Sequence, residues 1–175
     1  MSKLPLYVVT GAKGTGKTTV IEELRKLTPE YVIFDYDNVI EFIKDDFGKF
    51  DKHQLLNIWL RVARDIAESG RKTIICGIIW PHDIERCIDF NDFRHVYYLA
   101  LHCDDKTRER RLRTRKNTTK EKLLKNNDFA KSFIEIADKY NPPIPIIDTS
   151  KTDATKVAQQ ISEWIHGLEK NKNSL

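Results

Sequence analysis

Apolar positions along the chain switch repeatedly between two spacings. Leu4-Pro5-Leu6-Tyr7-Val8-Val9-Thr10 is a short apolar and β-branched run met at once by glycines, the pattern of a strand buried on both faces. Val20, Ile21, Leu24 and Leu27 then recur at helical spacing, with Pro29 as a stop. Further strands are predicted at Tyr31–Phe34, Lys72–Cys76, His95–Leu101 and Ile144–Ile147. Between them the pattern predicts helices over Asn38–Lys44, from about Asp51 to Ser69 with Gly70 closing it, and from Pro81 to Cys87. An Arg-rich helix capped by Asp104 follows to about Arg115, then one from Thr118 toward Tyr140 that Asn141-Pro142-Pro143 breaks. Asp153 starts a last amphipathic helix through Val157, Ile161, Trp164, Ile165 and Leu168. Asp51-Lys52-His53-Gln54 and Thr118-Thr119-Lys120-Glu121 read as capping boxes. Strands alternating with helices imply an α/β fold, a five-stranded parallel sheet covered on both faces by right-handed crossovers. The 175 residues make one domain, 1–175, without repeat or linker, and only Lys170–Leu175 look frayed.

The first strand runs into Gly11-Ala12-Lys13-Gly14-Thr15-Gly16-Lys17-Thr18, which matches G-x-x-x-x-G-K-[ST] and opens a helix. Glycines let successive N–H groups converge on phosphate oxygens at a helix N-terminus, where a side chain would block the approach. Lys17 supplies a cation for the β and γ phosphates, and the Thr18 hydroxyl can ligate a bridging magnesium ion. Thr19 belongs to the same first turn. The competing reading, a glycine-rich turn that happens to hold a lysine, leaves the strand before and the helix after unexplained. Hydrolysis, switching and phosphoryl transfer all use such a loop.

Asp35 and Asp37 follow the second hydrophobic run and should emerge at the carboxyl edge of the sheet, where open α/β folds bind ligands. Asp35 is assigned to magnesium and Asp37 to an attacking hydroxyl. The bland alternative makes Asp37 only the N-cap of the Asn38–Lys44 helix and Asp35 a turn residue. The third strand ends in Cys76-Gly77 without an acid, which adds weight to Asp35. Asp148 is a competing acid after a hydrophobic run, but Thr149-Ser150-Lys151 beyond it reads as a loop near the base.

Charge is concentrated rather than large. Formal net charge is +4, yet residues 106–125 hold ten Lys/Arg against Glu109 and Glu121, so an anionic ligand should meet that segment. Arg108, Arg111 and Arg115 share one helical face, while Arg110 and Arg113 point elsewhere. Arg111 and Arg115 are the candidates to grip a polyphosphate by bidentate forks. A solvated basic helix and a nucleic-acid backbone site are the alternatives, although aromatic interleaving is sparse there. Cys76, Cys87 and Cys103 lack C-x-x-C spacing and read as reduced packing residues. The five histidines are scattered without ligand spacing. No apolar stretch approaches the ~20 residues that span a bilayer, and no secretion signal is recognisable, so a cytoplasmic location is expected.

With these motifs the chain resembles the small P-loop kinases: shikimate and gluconate kinases, nucleoside and nucleotide kinases, and chloramphenicol phosphotransferase. The resemblance covers essentially the whole chain and implies a three-layer P-loop NTPase fold with the first strand central and a short lid over residues 111–130. It implies ATP and Mg2+ as cofactors, with Gly11, Ala12, Lys13, Gly14, Thr15, Gly16, Lys17, Thr18 and Thr19 around the phosphates. A D-x-D after the second strand falls on a magnesium-associated Asp35 and a substrate-binding Asp37 that can act as base. An R-x-x-x-R at the lid falls on Arg111 and Arg115, and the adenine-packing loop on Asp148, Thr149, Ser150 and Lys151. The chain also departs from these relatives. Cys76-Gly77-Ile78-Ile79-Trp80-Pro81 replaces both the glycine triplet of shikimate kinases and the D-G-[FY]-P-R segment of adenylate kinases, so neither substrate carries over.

Residues 38–90 should supply the acceptor side. Trp59, Trp80 and Phe47 offer an apolar wall, and His53, Arg61, Arg64, His82 and Asp83 offer polar groups; Trp59 reads better as core, Gly77 and Trp80 as pocket lining. The function expected is ATP-dependent phosphoryl transfer to a small-molecule acceptor such as a nucleoside or nucleotide. Lys17, Asp37, Arg111 and Arg115 would be catalytic. The alternatives are a 5′-hydroxyl polynucleotide kinase using the basic segment and a non-catalytic ATP-binding module. A monomer or homodimer is expected, and no membrane partner.

Overall fold

Five parallel strands form the sheet in the order β2-β3-β1-β4-β5. The computed structural model describes residues 3–45, 48–114 and 118–170. The strands are β1 (Leu6–Thr10), β2 (Tyr31–Asp35), β3 (Lys72–Cys76), β4 (Val96–His102) and β5 (Ile146–Asp148). The helices are α1 (Lys17–Leu27), α2 (Ile40–Ile43), α3 (Lys52–Glu68), α4 (Pro81–Glu85), α5 (Asp105–Arg113), α6 (Lys120–Lys139) and α7 (Ala154–Lys170), with 3₁₀ turns at Tyr36–Val39 and Ile88–Asp92. As the resemblance implies, β1 is central, and all five of its residues are buried.

The period of two divides the core into two layers. Leu6, Val8, Ile75, Tyr98 and Ala100 face α3, α4 and α6 through Leu55, Leu60, Ile84 and Phe133. Tyr7, Val9, Ile74, Cys76, Leu99 and Leu101 face α1 and α7 through Val20, Leu24, Val157, Ile161 and Ile165. Crossover helices on both faces exclude water from the whole β1 strand, which explains its uninterrupted apolar run.

Among the predicted boundaries that shift, three have a plain local reason. Asn38–Lys44 is not one helix: strand pairing extends to Asp35, opposite Cys76, and the chain then makes the 3₁₀ turn followed by the single turn of α2. The cap of that turn is Asp35 rather than Asp37, because Asp35 keeps extended backbone and its Oδ1 accepts the Asp37 N–H at 3.1 Å. β5 begins at Ile146 instead of Ile144, since the Ile144 N–H is committed to the Ala137 carbonyl at 2.9 Å. The cap of α6 is Thr119, and Thr118 donates to the Leu112 carbonyl at 2.8 Å.

At the amino-terminal ends of β2, β3 and β1, one carboxylate oxygen ties α7 to the sheet. Glu169 Oε1 accepts from Tyr7 Oη at 2.8 Å, Tyr31 Oη at 2.8 Å and Lys72 Nζ at 2.7 Å. Burial pushes the Glu169 carboxyl up, but Lys72, Tyr31 and Tyr7 outweigh it and hold it below its ordinary value. The stabilisation is therefore complete at neutral pH and is lost as the pH falls through the Glu range to the lower folded value. Glu169→Gln should lower the unfolding free energy by about 1–3 kcal/mol at neutral pH. The gap should shrink in acid. Denaturant titration at the two pH values measures both, and an equal gap in acid would contradict the assignment.

Candidate active site

The loop between β1 and α1 meets the helix without a side-chain cap: Gly16 sits in the left-handed region at the N-cap, and the first turn holds no acid. The helix-end N–H groups thus have no side-chain acceptor, which makes them available to an anion. Gly14, with φ +82°, lies so close to α5 that an added Cβ would stand 2.9 Å from Arg108 Cγ. Thr15 Oγ1 donates to the Ala12 carbonyl at 3.0 Å, closing the turn from within. Lys17 Nζ donates to the Gly11 and Ala12 carbonyls at 2.7 and 2.9 Å, so the ammonium lies folded over its own loop. Ala12 is buried, while Lys13, Thr18 and Thr19 are exposed.

A cleft of about 630 Å³ opens beside the loop, within the ~300–1,000 Å³ typical of small-ligand sites. Gly14, Thr15, Gly16 and Thr19 form one wall, Arg110, Arg111 and Thr114 another, and Thr149 with Thr152, Asp153, Ala154 and Val157 the third. Arg111 straps two of these walls together: Nη1 donates to the Gly14 carbonyl at 3.2 Å and to Thr149 Oγ1 at 3.0 Å, and Nη2 to the Thr149 carbonyl at 2.7 Å. The Thr149 hydroxyl, itself buried, lies 2.8 Å from the Thr15 carbonyl and 3.0 Å from that of His102. The cleft is wide enough to take two adjacent helix residues, so it includes Arg110, which helical spacing alone directs elsewhere. Ser150 and Lys151 are not among the lining. Ser150 Oγ instead accepts the Asp104 N–H at 2.8 Å. Asp148 accepts both the amide and the hydroxyl of Ser150, which hold its carboxyl below the usual range.

Arg108 is not on the cleft although it shares a helical face with Arg111. It is completely enclosed, with Nη2 donating to the Cys103 carbonyl at 2.7 Å and Nη1 to Asp105 Oδ1 at 2.8 Å. Its Nε is buried without a partner, an arrangement that costs ~1–3 kcal/mol. Arg115 lies outside the described residues, as does Phe47.

Asp35 and Asp37 stand at the carboxyl end of β2. Asp35 is level with Cys76 of β3, which is level with Val9 of β1, so it sits two strands from the root of the phosphate loop. Cys76 registers this neighbourhood: burial and then the Asp35 charge push its thiol up to about 12, against the opposing pull of Lys17 and Arg25. Asp37 is exposed on the 3₁₀ turn. Thr18 and Asp35 contribute hard oxygen donors, and the magnesium ion such sites use needs few protein ligands when phosphates supply the rest, so the donor chemistry fits. Among the described residues there is no cluster of three or more His, Cys, Asp or Glu that would hold a metal alone.

On the acceptor side, Gly77 is buried against Tyr36: an added Cβ would fall 2.5 Å from Tyr36 Cβ. Thr10 anchors the segment beyond it, donating to the Ile79 carbonyl at 2.7 Å and accepting the Ile79 N–H at 3.1 Å. Trp80 stacks on Phe133 of α6 at 4.3 Å between centroids and meets Phe129 edge-on at 5.1 Å. Trp59 is core, as its neighbours predict, with Nε1 donating to the Tyr36 carbonyl at 3.2 Å. Arg61 and Arg64 converge on buried Asp89 at 2.8 and 3.3 Å. His53 lies against the Arg86 carbonyl, and His82 pairs with Asp83 at 3.2 Å.

A family model described as an AAA domain matches residues 8–135. Solved structures share the fold across nearly the whole chain. A shikimate kinase from Acinetobacter baumannii in complex with shikimate superposes with a TM-score of 0.62 at 19% identity, covering 95% of this chain and 94% of its own. A gluconokinase from Sinorhizobium meliloti gives 0.62 at 15% identity over 98% of each chain. A sugar kinase from Janibacter sp. gives 0.63 at 16% identity over 94% and 95%. Among curated protein sequences none matches. No described helix is long and apolar enough to cross a membrane.

Proposed function

The chain belongs to the AAA domain family, and on that premise we propose that it is an ATP-dependent phosphotransferase acting on a small-molecule acceptor, a nucleoside or nucleotide being the leading class. The observation that carries this reading is the cleft beside Gly14–Gly16, bridged by Arg111 to Thr149, with Asp35 and Asp37 at the same carboxyl edge of the sheet, two strands away at the end of β2. The amides of the loop and Lys17 would hold the β and γ phosphates once the ammonium swings off the Gly11 and Ala12 carbonyls. Thr18 and Asp35 would hold magnesium, which when bound neutralises phosphate charge. Asp37 would accept the proton of the acceptor hydroxyl as that oxygen bonds to the γ phosphorus and ADP departs. Arg111, joined by Arg115 from the 111–130 lid, would meet the charge that builds on the transferring group. The 38–90 region would seat the acceptor, with Gly77 and Trp80 beside it, and the Thr149-Ser150-Lys151 loop would border the base through Thr149, its member on the cleft.

Shikimate and gluconate kinases are fold neighbours, but their substrates do not transfer at this level of identity. The basic segment favours a polynucleotide less than its composition suggests, because Arg108 is buried and Arg113 and Lys125 pair with Glu109 and Glu121. Calorimetry with magnesium and adenine or guanine nucleotides tests the first half of the reading, and absence of binding overturns it. A panel of nucleosides, nucleotides, sugars, sugar acids, antibiotics and 5′-hydroxyl oligonucleotides, read by ADP release and product mass, tests the second. Binding without transfer to any of them returns the chain to a nucleotide-binding module.

A further inference from the structure

Between the phosphate loop and the acceptor-side aromatic rings lies a buried polar contact that neither end requires for its own chemistry. The stem of Arg108 fills the space against Gly14, where a Cβ would stand 2.9 Å from Arg108 Cγ. The Cys103 thiol, next to the carbonyl that Arg108 holds, lies 3.6 Å from the Gly14 oxygen. From there the guanidinium reaches away from the loop, and Nη1 donates to Asn127 Oδ1 of α6 at 3.4 Å. Asn127 is buried too, and its Nδ2 donates back to Glu109 Oε1 of α5 at 3.1 Å. Phe133, buried on α6 like Asn127 but about 120° round the helix from it, carries the ring that stacks on Trp80.

We propose that Arg108 and Asn127 are a positioning pair that couples occupancy of the phosphate loop to the Trp80–Phe133 wall. The inference rests on the kinase reading above. A buried cation with one N–H unpartnered is a poor stabiliser, since a well-packed apolar side chain of similar volume does as well or better. The position of Arg108 is instead explained by what it joins. A nucleotide that moves the Gly14 turn must move the Arg108 stem packed against it. The Asn127 contact passes that displacement to α6, whose rigid backbone carries Phe133. Linkage then requires an acceptor that shifts Trp80 to alter nucleotide affinity by the same factor.

The test labels the full chain with 5-fluorotryptophan, assigns the Trp80 resonance by its loss in Trp80→Phe, and titrates magnesium-ADP. Trp59 and Trp164 serve as internal references. The Trp80 signal should move on saturation in the unsubstituted protein and should not move in Asn127→Leu, while the ADP dissociation constant stays within about threefold, below the usual range of coupling factors. Asn127→Ser, which also withdraws the oxygen from Arg108, should behave alike and covers a failure of the leucine variant to fold. Arg108→Lys, keeping the charge and a donor, should retain part of the shift that Arg108→Met abolishes. A Trp80 response that survives in the Asn127 variants overturns the coupling, as does a still Trp80 in the unsubstituted protein under demonstrated ADP binding. Failure of ADP to bind at all overturns the kinase reading itself, a different and separable result.

Discussion

Asp37→Asn should reduce phosphoryl transfer by about 10²–10⁴-fold, the usual contribution of a positioned general base, while leaving nucleotide affinity nearly unchanged. The substitution is isosteric. It keeps the backbone N–H that donates to Asp35 Oδ1, so the 3₁₀ turn and its cap persist while the side chain can no longer take up a proton. The cleft that holds the nucleotide is walled by the loop, α5 and the segment after β5, and Asp37 is not among its lining residues. Turnover and affinity should therefore separate: kcat falls, and the calorimetric Kd for magnesium-ADP holds. Loss of both together would mean that Asp37 serves the nucleotide or the fold. Transfer that survives intact would return Asp37 to a purely local role.

The D-x-D pair shows how far spacing carries an argument and where it stops. Two acids after an apolar run had to emerge at the carboxyl edge, because they follow the last apolar residue of a strand that belongs to a parallel sheet. Which one caps the following turn could not be read, since either Asp can accept a nearby N–H. The answer depends on how far β2 pairs with β3, and that is a contact between residues some forty positions apart. The arginines make the same point. Helical spacing places Arg108, Arg111 and Arg115 on one face, but a face does not know what it looks at. Packing against Gly14 and Asn127 turns the first of them inward, while Arg111 reaches the cleft.

Arg61 and Arg64 were legible as polar groups for the acceptor side; the partner they turn to instead, Asp89, lies in a separate 3₁₀ turn that no local pattern announces. By contrast, the phosphate loop and the two-layer core follow from short-range rules. Their glycines, β-branched runs and i, i+3, i+4 spacings each specify their own backbone. What the sequence leaves open is thus the set of polar contacts between distant segments, which includes most of the acceptor side.

Gly11→Ala should be the most damaging of the loop substitutions. Its φ of +148° is one that L side chains rarely adopt, and an added Cβ would stand 2.4 Å from the carbonyl oxygen of Leu101. That oxygen belongs to β4, the strand paired to β1, and cannot rotate away as a flexible side chain would. Either the loop lifts off the sheet or the β1–β4 pairing opens at its carboxyl end. Backbone strain of ~1–3 kcal/mol together with overpacking of ~1–3 kcal/mol puts the expected loss of unfolding free energy at about 2–6 kcal/mol. The loop amides lose their convergence in the same movement, so magnesium-ADP affinity should fall by at least ~10-fold, equal to 1.4 kcal/mol. Lys13→Ala is the matched control: Lys13 is exposed in the same loop, and removing a surface side chain should change stability by no more than ~0.5 kcal/mol. Denaturant unfolding and calorimetry on the two variants decide the matter. If Gly11→Ala unfolds at the unsubstituted midpoint and binds ADP as tightly, the seat of the loop on β4 is not what aims its amides, and the nucleotide must be held from the α5 side instead.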